Sequence, residues 1–206
     1  MCRIFFFFLL AHISLVSQNL TDYYTGLNSF LNEDYISARN YFSDLLDSKE
    51  SQSNGVTEYA SYYYYLSSLR TYHPETEAVF HDFISNFPFS NKNHDAIFFM
   101  SQYLFEKKKY KEVINLLSQI NLYQLDNNKK ELSFFYLGYS AYVKEQNDLA
   151  KSSFYELITS FTSSFRDDAI FYNSNILLRE GKFMEALSGF KGLEKSEKYS
   201  KEIPYF

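Results

Sequence analysis

Apolar residues return every three or four positions within short blocks of this chain, and polar stretches separate the blocks, a pattern that predicts amphipathic helices. The clearest block is GKFMEALSGFKGL at 181–193. After the break at Gly181 and Lys182, Phe183, Ala186, Leu187, Phe190 and Leu193 follow at helical spacing and predict one buried stripe. A helix this short is not stable alone, so it needs the preceding run 171–178 as its partner. The small Ala186 in mid-stripe lets that partner come close.

The block recurs. The Ala186 column is filled upstream by Ala150, Val113, Thr76 and Ala38, and the Phe190 column by Phe154, Leu117, Phe80 and Phe42, with steps of 36, 37, 37 and 38 residues in both. Small residues form a third column in the preceding helices at Gly26, Ser67, Ser101, Gly138 and Ser174. DAIFF at 95–99 returns as DAIFY at 168–172, two periods later. The expected helix pairs are 21–31 with 34–46, 58–72 with 75–87, 95–107 with 110–120, 131–143 with 148–161, and 167–179 with 182–193. Asp34 is placed to cap the second of these helices, and the polar segments 47–55 and 126–130 read as connections. Tyr199 to the end reads as the start of a sixth first helix. The fold class expected is all-α, an α-solenoid of about five stacked helix-turn-helix repeats.

Composition agrees. Six Gly and three Pro in 206 residues are few for a turn-rich β protein, whereas 22 Phe and 20 Tyr give an aromatic content of 20%. Residues 1–17 stand apart: Arg3, then an apolar run over 4–16, then Ser17 before Gln18. This reads as a secretory signal peptide, too short to span a membrane, and leaves residues 18–206 as the repeat domain. The single cysteine, Cys2, would leave with it, so the exported chain has no disulfide or thiolate metal site. Cys2 also precedes the apolar run, so no lipid anchor is expected. Without Arg3 the charge is 19 − 25 = −6, which argues against nucleic acid and anionic membranes as partners.

Little in the sequence points to catalysis. His12, His73, His81 and His94 have no paired metal-ligand spacing, no phosphate loop or nucleophile elbow occurs, and Asp167-Asp168 suits a helix first turn. No cofactor, no metal and no enzymatic activity are expected. Lys107-Lys108-Lys109 reads as a solvated turn between helices.

The repeat resembles the tetratricopeptide repeat, most clearly at Gly138, Ala150 and Phe154 and at Gly181, Phe183, Ala186, Phe190 and Leu193. The phrase FISNFPFS at 83–90 followed by Asp95-Ala96, and FTSS at 161–164 followed by Asp168-Ala169, are similar to secreted bacterial members that work in the cell envelope. Thr76 and Val113 depart from the expected Ala. The resemblance implies a periplasmic or envelope-associated scaffold that holds a protein or peptide partner in a concave groove, with any outer-membrane association made through that partner. By register it implies groove positions at Tyr23, Phe30, Tyr64, Phe98, Phe105, Phe135, Tyr139, Tyr142 and Phe171. The alternative is an N-terminal structural spacer of a longer solenoid whose recognition lies elsewhere.

Overall fold

A computed structural model describes residues 20–48, 56–160, 162–201 and 203. The expected signal peptide, most of the 47–55 connection and the last three residues lie outside them. The described residues form ten α-helices, packed mainly on their neighbours in sequence, and no strand. They are α1 (20–31), α2 (Tyr35–Asp47), α3 (Val56–Arg70), α4 (Thr76–Asn86), α5 (Asn93–Glu106), α6 (Tyr110–Leu117), α7 (Asn127–Val143), α8 (Asn147–Thr159), α9 (Arg166–Arg179) and α10 (Phe183–Gly192). A short 3-10 helix, Leu122–Gln124, precedes α7. The chain divides into two compact units, Met1–Ala96 and Ile97–Phe206.

Three columns read from the sequence form the interior. Ala38, Thr76, Val113, Ala150 and Ala186 are buried, as are Phe42, Phe80, Leu117, Phe154 and Phe190. The small-residue column meets the aromatic one. A Cβ added at Gly138 would stand 2.7 Å from Phe154 Cε1, and one at Gly26 3.0 Å from Phe42 Cε1. Thr76 fits the alanine column because its hydroxyl donates to the carbonyls of Ser68 (2.9 Å) and His73 (2.6 Å), so no polar group is stranded.

One turn joins the helices of every pair. Glu33, Tyr72, Lys108, Glu145 and Gly181 all have positive φ, between 51° and 76°. Each of their N–H groups donates three residues back, and the following N–H donates five back, as in Lys108 to Phe105, Lys109 to Leu104, Gly181 to Leu178 and Lys182 to Leu177. That is a Schellman closure, which satisfies the last carbonyls of the first helix and reverses the chain. Lys108 therefore sits in a turn, as the triple-lysine run predicts.

In the first unit α2 packs on α3 around Ala38, Phe42, Leu45 and Ala60, with Tyr23, Leu27, Phe30 and Tyr63 against them, and α3 packs in turn on α4. Tyr65, fully buried, donates its hydroxyl to the Ala96 carbonyl at 2.9 Å. In the second unit α6, α7, α8, α9 and α10 pack in sequence order. Its far end is a cluster of Ala186, Phe190, Leu193, Tyr199 and Ile203.

Two expectations are corrected. Phe183 (66% exposed) and Leu187 (37%) are not in the buried stripe of α10. At about 100° per residue Leu187 falls well to one side of the Ala186–Phe190–Leu193 line, whereas Phe183 lies close to it and is exposed as the first residue of the helix. The polar segment 126–130 is not a connection but the first turn of α7, because Asp126 Oδ1 accepts the Lys129 N–H at 3.0 Å and caps the helix. Asp34 caps α2 in the same way through Ser37 N–H at 3.1 Å, as expected.

Candidate functional site

The first helices carry the rings that the groove reading singles out. α7 is the longest, and Phe135, Tyr139 and Tyr142, spaced by four and three, fall on one of its sides. That side meets α5 at Phe105, whose ring lies 6.2 Å from Phe135, 5.5 Å from Tyr139 and 4.5 Å from Tyr136. It meets α9 at Tyr172, 5.1 Å from Tyr139 and 5.0 Å from Tyr142. Tyr110 at the start of α6 closes on both Phe105 (5.7 Å) and Tyr139 (5.8 Å). At these spacings, with planes edge-to-face at Phe105–Tyr139 and Tyr139–Tyr172 and tilted at Phe105–Tyr136 and Tyr142–Tyr172, each ring is held against its neighbours. The result in the second unit is a band running from Phe105 through Tyr139 to Tyr172 and Tyr142, its members half-buried.

Arg179 ends the band. Its guanidinium Cζ stands 4.5 Å from the Tyr142 ring centroid, and Nη2 donates to the Tyr142 hydroxyl. A cation over a ring face is held by the ring quadrupole. Burial first, then the neighbouring Tyr110, raise the Tyr139 phenol above its ordinary value, and burial with Glu106 nearby does the same for Tyr136. Both phenols stay protonated at neutral pH. Their ring faces are apolar, the Tyr139 hydroxyl is engaged with Tyr110, and cations lie near the band at Lys108, by Tyr139, and at Arg179, by Tyr142.

The positions implied by the resemblance part company here. Phe105, Phe135, Tyr139 and Tyr142 come together. Phe98 is buried at 3%, edge-on to Phe99. One face of Phe135 is stacked by Phe165 at 4.7 Å, and one face of Phe171 by Tyr199 at 4.4 Å. In the first unit, Tyr64 lies under the Arg39 guanidinium at 5.1 Å and its hydroxyl accepts from Arg39 Nη2 at 3.1 Å. Tyr23 and Phe30 pack against the α2–α3 core there; burial and nearby tyrosines push the Tyr23 phenol up to about 12.

Sequence reasoning did not find Tyr110, Tyr136, Phe165, Tyr172 or Arg179. Asp167 and Asp168, read as first-turn residues of a helix, also tie down the segment after α10: Ser196 donates to Asp167 at 2.7 Å, and both Lys198 and Tyr199 donate to Asp168.

Elsewhere in the second unit a cleft of about 720 Å³ lies over the first turns of α7 and the end of α8, lined by Tyr123, Asn127, Glu131, Phe134, Glu156 and Ser160 among others. Among the described residues no group of three or more His, Cys, Asp or Glu is placed to hold a metal ion, and no helix is long and apolar enough to cross a membrane. No protein-family model matches the chain, and no curated protein matches it.

Proposed function

We propose that this chain is a non-catalytic adaptor built of tetratricopeptide-like repeats stacked as a solenoid, exported after loss of residues 1–17 and working in the bacterial cell envelope. Its aromatic band takes an extended peptide or a helix of a partner protein. The observation that supports this reading most is the continuity of the band: rings from three successive first helices, α5, α7 and α9, interlock without a break from Phe105 to Tyr142. Rigid rings with few rotamers lose little entropy on binding and anchor partners well. Arg179 favours a ligand with an acidic or carbonyl-rich end near Tyr142.

The test is capture of envelope proteins by the purified chain against a Tyr139→Ala/Tyr142→Ala variant of unchanged helicity. Capture of a defined partner by the first and its loss from the second are expected. Equal capture by both would remove the band from the reading. N-terminal sequencing of the native protein from the envelope fraction is expected to begin at Gln18.

A further inference from the structure

The cleft of about 720 Å³ between the start of α7 and the end of α8 takes no part in the aromatic band. Asn127, Glu131 and Phe134 line it from α7, and at about 100° per residue their side of the helix lies roughly 90° around the axis from Phe135, Tyr139 and Tyr142. Glu156 and Ser160, one turn apart, line it from α8. Tyr123 comes from the 3-10 helix ahead of α7. Asn121 caps that helix by accepting the Tyr123 N–H at 3.1 Å, and the buried Leu122 and Leu125 anchor it, which leaves Tyr123 62% exposed at the cleft.

The lining combines ring faces with hydrogen-bonding groups of both kinds. Tyr123 and Phe134 meet edge to face with centroids 5.6 Å apart, a contact that covers at most one face of one of the two rings. The Tyr123 hydroxyl donates to the Glu156 carboxylate, which raises the phenol above its ordinary value. Lys130 Nζ donates to Asn127 Oδ1 at 3.0 Å, so the Asn127 amide N–H groups and the other ammonium protons remain for a ligand. Glu131 has no hydrogen-bond or ion-pair partner among the described residues. The cleft thus offers two carboxylates as acceptors, an ammonium and an amide as donors, and the Ser160 hydroxyl as either.

We infer that this cleft binds a neutral sugar, whose hydroxyls donate to Glu131 and Glu156 and accept from Lys130 and Asn127 while the C–H face of its ring lies on Tyr123. A cation would use the carboxylates and meet the Lys130 ammonium, and an anion would use the ammonium and meet two carboxylates. A polyol is donor and acceptor at every hydroxyl, so it uses both sets, and its C–H face gives the aromatic wall an apolar surface to cover. The volume lies within the range of small-molecule sites, about 300–1,000 Å³, and suits a short oligosaccharide better than a single ion. None of these residues belongs to the aromatic band, so the inference stands apart from the adaptor reading.

Isothermal titration calorimetry of the purified chain tests it, with neutral trisaccharides of glucose, galactose, mannose and N-acetylglucosamine taken in turn. At least one is expected to bind with a Kd of about 1 mM or tighter. Tyr123→Ala is expected to weaken that binding about tenfold, and Glu131→Gln about fivefold, with far-UV circular dichroism unchanged. Tyr123 is exposed and Glu131→Gln keeps the side-chain shape, so Glu131→Gln reads the site even if the tyrosine variant loses structure. Tyr142→Ala, in the band, is expected to bind the sugar as the unmodified chain does. Failure of all four sugars to bind overturns the inference. Tighter binding of tetramethylammonium or of a galacturonic acid trisaccharide than of any neutral sugar also overturns it, since the cleft is then a site for charge. So does sugar binding that Tyr142→Ala abolishes and Glu131→Gln leaves intact, which moves the sugar to the band.

Discussion

Gly138 shows how one missing methyl group sets a helix-pair distance. Its absent Cβ would lie 2.7 Å and 2.9 Å from two ring carbons of Phe154 and 3.2 Å from Ser153 Cβ, closer than packed side chains come. Gly138→Ala is therefore expected to lower the urea unfolding free energy by about 1–2 kcal/mol, the cost of overpacking less the helix propensity gained. Gly192 supplies the contrast. Nothing lies within 4 Å of its Cβ position, so Gly192→Ala is expected to stabilise by up to about 1 kcal/mol. Equal effects at the two sites would mean that propensity and not packing decides at Gly138. The same column is filled elsewhere by serine, and Ser67, fully buried with no hydrogen-bond partner for its hydroxyl, is there for size alone.

At the scale of the element, the five intra-pair turns share one geometry but only Gly181 has the residue that geometry favours. Glu33, Tyr72, Lys108 and Glu145 hold the left-handed conformation with a Cβ present, which costs an L-residue about 1–2 kcal/mol. Glu145→Gly should recover roughly 0.5–1 kcal/mol of this after the added freedom of the unfolded chain, and Gly181→Ala should lose about as much, read from urea midpoints. The sequence therefore points to the turn only at Lys108, through the lysine run, and at Gly181: hydrogen bonds and packing impose it at Glu33, Tyr72 and Glu145, whose residue types advertise nothing. Helix starts are legible where the sequence offers a cap before an apolar run, at Asp34, and are hidden where the cap opens a polar first turn, at Asp126. The Asp126 cap has a pH signature. The Lys129 backbone N–H bonded to it holds its carboxyl below the usual aspartate value of 3.8, so its contribution is present above that value and lost as pH falls through the lower, folded one. Asn caps as well without titrating. Asp126→Asn is then expected to match the unmodified chain at pH 7 and to lose less stability between pH 5 and pH 3; parallel losses in urea unfolding would remove the cap from the account.

For the molecule as a whole, the period carried most of the fold and only part of the candidate site. Repeat spacing locates buried columns because the same contact recurs in each pair, whereas the role of a ring depends on what the neighbouring repeat places beside it. Phe135 and Tyr142 are both aromatic and both on α7, yet Phe135 is stacked on Phe165 at 4.7 Å while Tyr142 meets the Arg179 guanidinium at the end of the band. Phe183 carries the same lesson in reverse: its helical spacing with Ala186 predicts burial, and yet it is 66% exposed. The difference between Phe135 and Tyr142 separates stability from binding. Phe135→Ala removes a half-buried ring packed among Phe105, Tyr139 and Phe165, stacked on the last, and is expected to destabilise by about 2 kcal/mol. Tyr142→Ala, at a half-buried position, is expected to cost about 1 kcal/mol or less in the same denaturation series. If the band holds the partner, Tyr142→Ala should nevertheless weaken capture by about thirtyfold, the effect of an interface anchor worth about 2 kcal/mol, with the chain still fully folded at the assay temperature. Capture that falls only in variants that have also lost stability would mean that the rings act through the fold, and the anchoring role would pass to another surface.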